Sequence, residues 1–116
     1  MKLILTAITA IALAMAQKPD PAQVLLEAAK KKEVVDGDLK AAIKQYGDIV
    51  AKYGKSDRAA SATALVRMAE CHTKLGDTDA RKIYERVVRD YSDQKEAVTT
   101  ARARIGVGPA PLPGAT

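Results

Sequence analysis

The sequence contains no phenylalanine and no tryptophan, and its only aromatic residues are four tyrosines. Alanine is abundant instead, so the apolar residues are mostly small and aliphatic, as close packing between helices requires. Such a composition is not that of a β-sandwich, whose strands are rich in aromatic and β-branched residues. A chain of 116 residues has room for one small domain. We therefore expect a single all-α domain and exclude a large multidomain enzyme.

Cysteine and histidine are equally scarce, with one of each, Cys71 and His72. One cysteine cannot form an internal disulfide, and the two residues cannot supply the four ligands of a structural zinc site. Neighbouring residues on a helix point about 100° apart, so this pair also makes a poor thiolate–imidazole dyad. We expect a buried thiol and a packed histidine. The alternative is an exposed Cys71 that joins two chains in an oxidising compartment.

Motifs that carry catalysis are also missing, since the sequence has no glycine-rich phosphate loop, nucleophile elbow or zinc motif. The acidic pairs Asp36/Asp38 and Asp77/Asp79 could bind a cation. Both pairs lie at predicted helix starts, however, where capping and the helix dipole explain them. We predict that the protein is not an enzyme and has neither a cofactor nor a metal site.

The net charge of +5 is mild, and basic residues alternate with acidic ones apart from the run Lys30 to Lys32. The tyrosines lie at apolar positions rather than between cations, so we expect no nucleic-acid partner. The lysine run could contact anionic lipid or an acidic partner. One such run attracts weakly at physiological salt, which favours a solvated helix face.

The first sixteen residues, Met1 to Ala16, contain the longest apolar run. Lys2 precedes this run, and small residues at Ala14 and Ala16 form a cleavage motif, so we predict a signal peptide at residues 1–16 and export to the periplasm or the medium. The run is shorter than the roughly 20 residues of a membrane span, and it lacks the polar face of an amphipathic helix. No transmembrane segment is expected after cleavage. Gln17, rather than a cysteine, follows the predicted cleavage site and gives no support for a lipid anchor.

An internal repeat organises the remaining chain. The segments AIKQYGDIVAKY and ARKIYERVVRDY are related by an offset of 38 residues, and each follows a Gly-Asp pair. Their apolar residues recur at helical spacing and predict one buried stripe on each helix. The positions expected to pack the repeats are Ala42, Tyr46, Ile49, Ala80, Tyr84 and Val87 of the two copies, together with Ala69 of the helix between them.

Capping and breaking residues divide the predicted domain, residues 17–105, into five helices. Asp20-Pro21 begins the first, near 21–35, with Gln23 placed to complete a capping box. The second ends at Gly54, the third spans 58–75 after Asp57, and the fourth begins after Asp77 or Thr78. Asp93 and Glu96 resemble a capping box for a fifth helix near 94–105. Residues 106–116 contain three prolines and three glycines and predict an unstructured tail or a linker.

The third helix has two distinguishable sides. The side expected to face the core consists of Ala62, Leu65, Met68, Ala69, His72 and Leu75. The opposite side is mostly polar and consists of Thr63, Val66, Arg67, Glu70, Thr73 and Lys74.

These segments resemble the tetratricopeptide repeat family. MAECHTKLGDTDARKIYERVV is similar to the family pattern in its small residues Ala69 and Ala80, its Lys-Leu-Gly-Asp turn, its aromatic Tyr84 and its apolar Val87, and GDLKAAIKQYGDIV forms a second copy. The repeat distance of 38 exceeds the usual value of about 34, and His72 replaces a frequent aromatic. Longer units of this kind resemble those of exported bacterial envelope proteins, such as the Tol-Pal coordinator and outer-membrane assembly components.

The resemblance implies a superhelical scaffold that binds a protein or peptide in a concave groove lined by the first helix of each pair. Transferred residue by residue, the predicted groove comprises Val24, Glu27, Lys31, Thr63, Val66, Arg67, Glu70, Thr73 and Lys74. Its part on the third helix coincides with the polar side found from spacing. A plain solvent-exposed face is the alternative interpretation.

We therefore expect an exported, non-enzymatic scaffold for protein–protein contacts in the bacterial envelope. A different hypothesis is an N-terminal adaptor or spacer of a larger exported sensor or propeller protein, with residues 106–116 as the linker. A third is a self-associating subunit, because two repeats expose apolar ends that further repeats would cover.

Overall fold

The computed structural model describes residues 20–107, which form five α-helices and no strand. The helices are α1 (Pro21–Val34), α2 (Leu39–Tyr53), α3 (Arg58–Leu75), α4 (Asp79–Asp90) and α5 (Lys95–Val107). The predicted all-α class is confirmed. Helix α5 continues two residues past its predicted end at Ile105. The predicted signal peptide, residues 1–16, and residues 108–116 of the predicted tail lie outside the described range.

Aspartate side chains begin the first three helices. The carboxylates of Asp20, Asp38 and Asp57 each accept a hydrogen bond from a backbone amide in the first turn, at 3.0 to 3.1 Å. A helix leaves its first amides without partners, and these bonds satisfy one of them at each start. The starts of α1, α2 and α3 therefore follow directly from the sequence.

The two predicted capping boxes do not form. Gln23 Nε2 instead donates to Glu27 Oε1, one turn further along α1, at 2.8 Å. The Asp93 carboxylate accepts from Arg58 Nε at 3.0 Å. The prediction was wrong in both cases because a side chain of another residue was the better partner, and a charged guanidinium forms a stronger hydrogen bond than a neutral amide.

The turns between the helices of each pair contain equivalent glycines. Gly37 and Gly76 have φ angles of 67° and 78°, a left-handed conformation in which a side chain is strained. The two turns differ in the residues between the glycine and the next helix. Asp38 caps α2 directly, whereas α4 begins after Thr78, whose side chain makes no capping bond.

Helix α3 lies at the centre of the domain and contacts all four other helices. Its neighbours approach closely because most of its buried residues are small: Ala60, Ser61, Ala62, Ala64, Ala69 and Cys71. Contacts between α1 and α3 and between α3 and α5 join successive helix pairs into an array. Within residues 20–107, no helix is long and apolar enough to span a membrane.

The central position of α3 explains where its predicted core side was wrong. Because helices cover α3 from several directions, Ala64 is buried although it was not assigned to the core side, and the buried thiol expected at Cys71 is confirmed. His72 and Leu75 were assigned to it, but both lie near the helix end. His72 is only half-buried, and 41% of Leu75 is exposed.

The repeat-packing prediction holds for most of its positions. Six of these residues are buried: Ala42, Tyr46, Ile49, Ala69, Tyr84 and Val87. Ala80 is half-buried, because it borders an open groove. The stripes predicted on α2 and α4 thus contribute to the core, together with buried residues of the other three helices.

Candidate binding groove

An open groove with a volume of about 840 Å³ lies where the C-terminal ends of α1, α3 and α5 meet the beginning of α4. All the side chains that α3 contributes are polar or charged, whereas the apolar ones come from the other helices. The groove is concave and is formed by one helix of the first pair, both helices of the second pair and α5, as small binding sites between helices commonly are.

A buried ionic network closes the groove at α1. Glu33, near the end of α1, has only 2% of its side chain exposed. Its Oε1 atom accepts hydrogen bonds from Tyr46 Oη at 2.6 Å and from Arg67 Nε at 3.1 Å, and its Oε2 atom accepts one from Lys74 Nζ at 3.2 Å. Arg67 Nε also lies 3.1 Å from Tyr46 Oη. The network therefore joins α1, α2 and α3.

These contacts fix the protonation of the buried pair. Burial raises the pKa of the Glu33 carboxyl, but the hydrogen bonds from Tyr46 and Lys74 and the charge of Arg67 outweigh burial, so the pKa lies below its ordinary value. Burial and the bond to Glu33 raise the pKa of the Tyr46 hydroxyl. At neutral pH, Glu33 is an anion and Tyr46 a proton donor.

The remaining carboxylates of the groove are also paired. Glu70 Oε2 lies 3.7 Å from Arg104 Nη2, which joins α3 to α5. Asp77 Oδ2 lies 2.8 Å from His72 Nδ1, and the bond to His72 lowers the pKa of the Asp77 carboxyl. Arg81, at the start of α4, is exposed and forms no ion pair with another described residue.

The apolar part of the groove is formed by one residue of α1, one of α5 and two of α4. Val34, the last residue of α1, is 66% exposed. Ile105 of α5 and Ala80 are half-buried, and Tyr84 is buried. An exposed valine at the edge of a concave surface offers contact area to a bound apolar side chain.

Four of the nine residues predicted for the groove line it together, namely Arg67, Glu70, Thr73 and Lys74. The other five, Val24, Glu27, Lys31, Thr63 and Val66, are not part of its lining. The transfer from the repeat family used the whole length of the first helices, whereas here only their C-terminal ends enclose a groove.

The sequence interpretation missed Glu33, and with it the buried network. A signal for it exists in α1, whose buried positions are residues 22, 26, 29 and 33. This spacing is that of one helix face, and it places a carboxylate seven residues after Leu26, within the apolar stripe. Arg81 and Arg104 were missed because they lie on helices that the family resemblance does not assign to the groove.

The comparison with known families bears on the second helix pair. Residues 63–93 match the tetratricopeptide repeat family. The matched segment contains most of α3, the turn at Gly76 and all of α4. No curated protein and no solved structure matches the chain. This part of the chain is thus similar to the tetratricopeptide repeat, as its sequence pattern indicated.

Two other sites considered from the sequence have structural explanations. Side-chain atoms of His72, Asp77 and Asp79 lie within 4.8 Å of one another. Asp77 already accepts hydrogen bonds from His72 and from the Asp79 amide, at 2.8 and 3.0 Å. Cys71 is fully buried, which overturns the alternative of an exposed thiol, and burial raises its pKa to about 11.

Proposed function

We propose that the protein is an exported, non-enzymatic scaffold that mediates protein–protein contacts in the bacterial cell envelope. The observation that carries this proposal is the groove, which lies at the helix pair that resembles the tetratricopeptide repeat. Tetratricopeptide repeats stack into arrays whose concave surfaces bind other proteins. Export is inferred from the residue pattern at Met1 to Ala16.

The absence of catalysis is part of the same proposal and is supported by the state of the reactive groups. Glu33 is held as an anion by three donors, and the Cys71 thiol is buried with a raised pKa. A general acid or base needs a pKa near the working pH and access to its substrate. Neither residue meets both conditions.

The scaffold is tested by blocking the groove sterically. Thr73 is exposed on its lining and its hydroxyl donates to Ala69 O rather than to Glu33, so Thr73→Trp adds bulk to the groove and keeps every member of the Glu33 network. Lys82→Trp adds the same bulk to an exposed position of α4 outside the lining and is the matched control. Crosslinking followed by affinity capture from an envelope fraction should retain the same partners with the native protein and with Lys82→Trp, and lose them with Thr73→Trp.

The capture experiment contradicts the scaffold if the native protein retains no partner, or if Thr73→Trp retains the same set. Far-UV circular dichroism of both variants establishes that they are folded. Export has its own test, the N-terminal residue of the protein recovered from the cells. Gln17 at the N-terminus in the periplasm or the medium supports it, whereas intact Met1 in the cytoplasm refutes it.

Self-association is a second candidate, and the exposed apolar surface of α1 and its C-cap favours it. Val24, Leu25, Val34 and Val35 are all exposed large hydrophobic residues. A further repeat or a second copy of the chain would cover such an end. Light scattering across a wide concentration range should then show a mass above that of the monomer, and Leu25→Lys should reduce it. A constant monomer mass contradicts self-association.

A further inference from the structure

We propose that the groove binds an acidic peptide segment that also carries an apolar side chain. This inference rests on the scaffold function proposed above and specifies the chemistry of the partner. It depends on which charges of the groove are already used within the domain and which are not.

The carboxylates of the groove are committed to partners inside the protein. Glu33 accepts three hydrogen bonds and is almost completely buried. Glu70 faces Arg104, and Asp77 faces His72. Glu33 and Glu70 therefore lie beside cations, and Asp77 accepts hydrogen bonds from His72 and from the Asp79 amide.

The cationic side chains of the groove retain hydrogen-bond donors that no described residue uses. Among the described residues, Arg67 uses only its Nε atom, and Lys74 uses one of the three donors that an ammonium group carries. Arg81 is exposed and has no ionic partner in this part of the chain. Together with Arg104, the groove has four cations and three carboxylates. Guanidinium and ammonium groups form strong hydrogen bonds with carboxylates, so the unused donors favour an acidic ligand.

The apolar wall adds a second requirement. Val34 is largely exposed, and Ala80 and Ile105, which also line the groove, are partly exposed. A ligand that carries charge alone would leave this surface in water, whereas an apolar side chain next to the acidic one would cover it. The volume of about 840 Å³ accommodates a few side chains rather than a folded domain.

A nucleic acid is also anionic, but the groove does not suit one. Proteins that bind single strands stack the bases on accessible aromatic rings. Tyr84, the aromatic residue of the lining, is buried with 4% exposure. The described groove therefore offers cations without a stacking surface, and an acidic peptide is the ligand that its chemistry favours.

The proposal is tested by selecting ligands from a random peptide library displayed on phage, followed by anisotropy titrations of the selected peptides with the purified protein. We expect enrichment of Asp or Glu next to a Leu, Ile or Val residue. Arg81→Glu should weaken these peptides by about tenfold. Lys82→Glu changes the net charge equally at a neighbouring position outside the groove and should leave affinity within about twofold.

The outcomes separate the two proposals. Enrichment of neutral or basic peptides, equal effects of Arg81→Glu and Lys82→Glu, or tighter binding of a mixed-sequence DNA oligonucleotide would overturn the acidic peptide. If the library yields no ligand while envelope capture depends on Thr73, the scaffold stands and the acidic chemistry is refuted. If both experiments are negative, both proposals are refuted.

Discussion

The hydroxyl group of Tyr46 donates a 2.6 Å hydrogen bond to Glu33 Oε1 inside the domain. The offset of 38 residues that relates the two helix pairs places Tyr84 at the position of Tyr46 and Cys71 at the position of Glu33. Glu33 carries a negative charge that Arg67 and Lys74 neutralise, whereas the buried thiol of Cys71 is neutral. The two copies therefore share their apolar positions but differ in polarity at this one.

We predict that Glu33→Gln destabilises the protein by about 1–3 kcal/mol, since it removes the anion that three donors share. The loss is smaller than for a fully enclosed ion pair because Arg67 and Lys74 are partly exposed and can turn towards water. Urea denaturation measures it. Glu27→Gln on the same helix, where the carboxylate is 57% exposed, is the control and should cost less than about 0.5 kcal/mol. Equal midpoints for the two variants would contradict this prediction.

The depressed pKa of Glu33 predicts a defined pH dependence. A carboxyl group whose pKa is lower in the folded state stabilises the protein above its ordinary pKa of 4.5, and this contribution is lost as the pH falls through the folded value. The stability difference between the native protein and Glu33→Gln should therefore be largest near neutral pH and shrink below about pH 4.5. Denaturation curves from pH 7 to pH 3 measure this difference, and a gap that widens on acidification would refute the assignment.

Removal of one hydroxyl group isolates the contact between Tyr46 and Glu33. Tyr46→Phe leaves a buried carboxylate with one donor fewer, and we expect a loss of about 1–2 kcal/mol. Tyr84→Phe is the matched control, because Tyr84 occupies the equivalent position and, within residues 20–107, its hydroxyl has Arg104 and Thr73 rather than a carboxylate as hydrogen-bond neighbours. Its expected loss is below about 1 kcal/mol. A similar loss for both variants would mean that packing, and not the hydrogen bond, sets the cost at Tyr46.

The helices were largely predictable because their determinants are local. Asp20, Asp38 and Asp57 each precede the helix that they cap, and Gly37 and Gly76 occupy the turns that need a left-handed backbone. Such interactions span only a few residues, so the sequence contains both partners side by side. The apolar stripes follow from the same short-range periodicity.

The groove was only partly predictable because it depends on contacts between distant residues. Glu33 and Lys74 are 41 residues apart in the sequence. Arg58 donates to Asp93, which was predicted to cap α5, across 35 residues. Periodicity identifies which face of a helix is polar, but it cannot pair charges on different helices. Four of the six residues predicted on α3 therefore line the groove, whereas Arg81 and Arg104 required the structure.

Cys71 is fully buried, and its pKa is raised to about 11 by burial and by the charge of Glu33. Because the thiolate is the reactive form, the raised pKa and the burial of Cys71 should both slow its reaction with a disulfide reagent. We therefore expect no disulfide-linked dimer of the folded protein under oxidation, and rapid labelling only in urea. Ser56→Cys, in the exposed turn before α3, adds an accessible thiol and should react quickly and form dimers. Fast labelling of the native protein, or a dimer on a non-reducing gel, would mean that α3 opens often enough to expose its buried face.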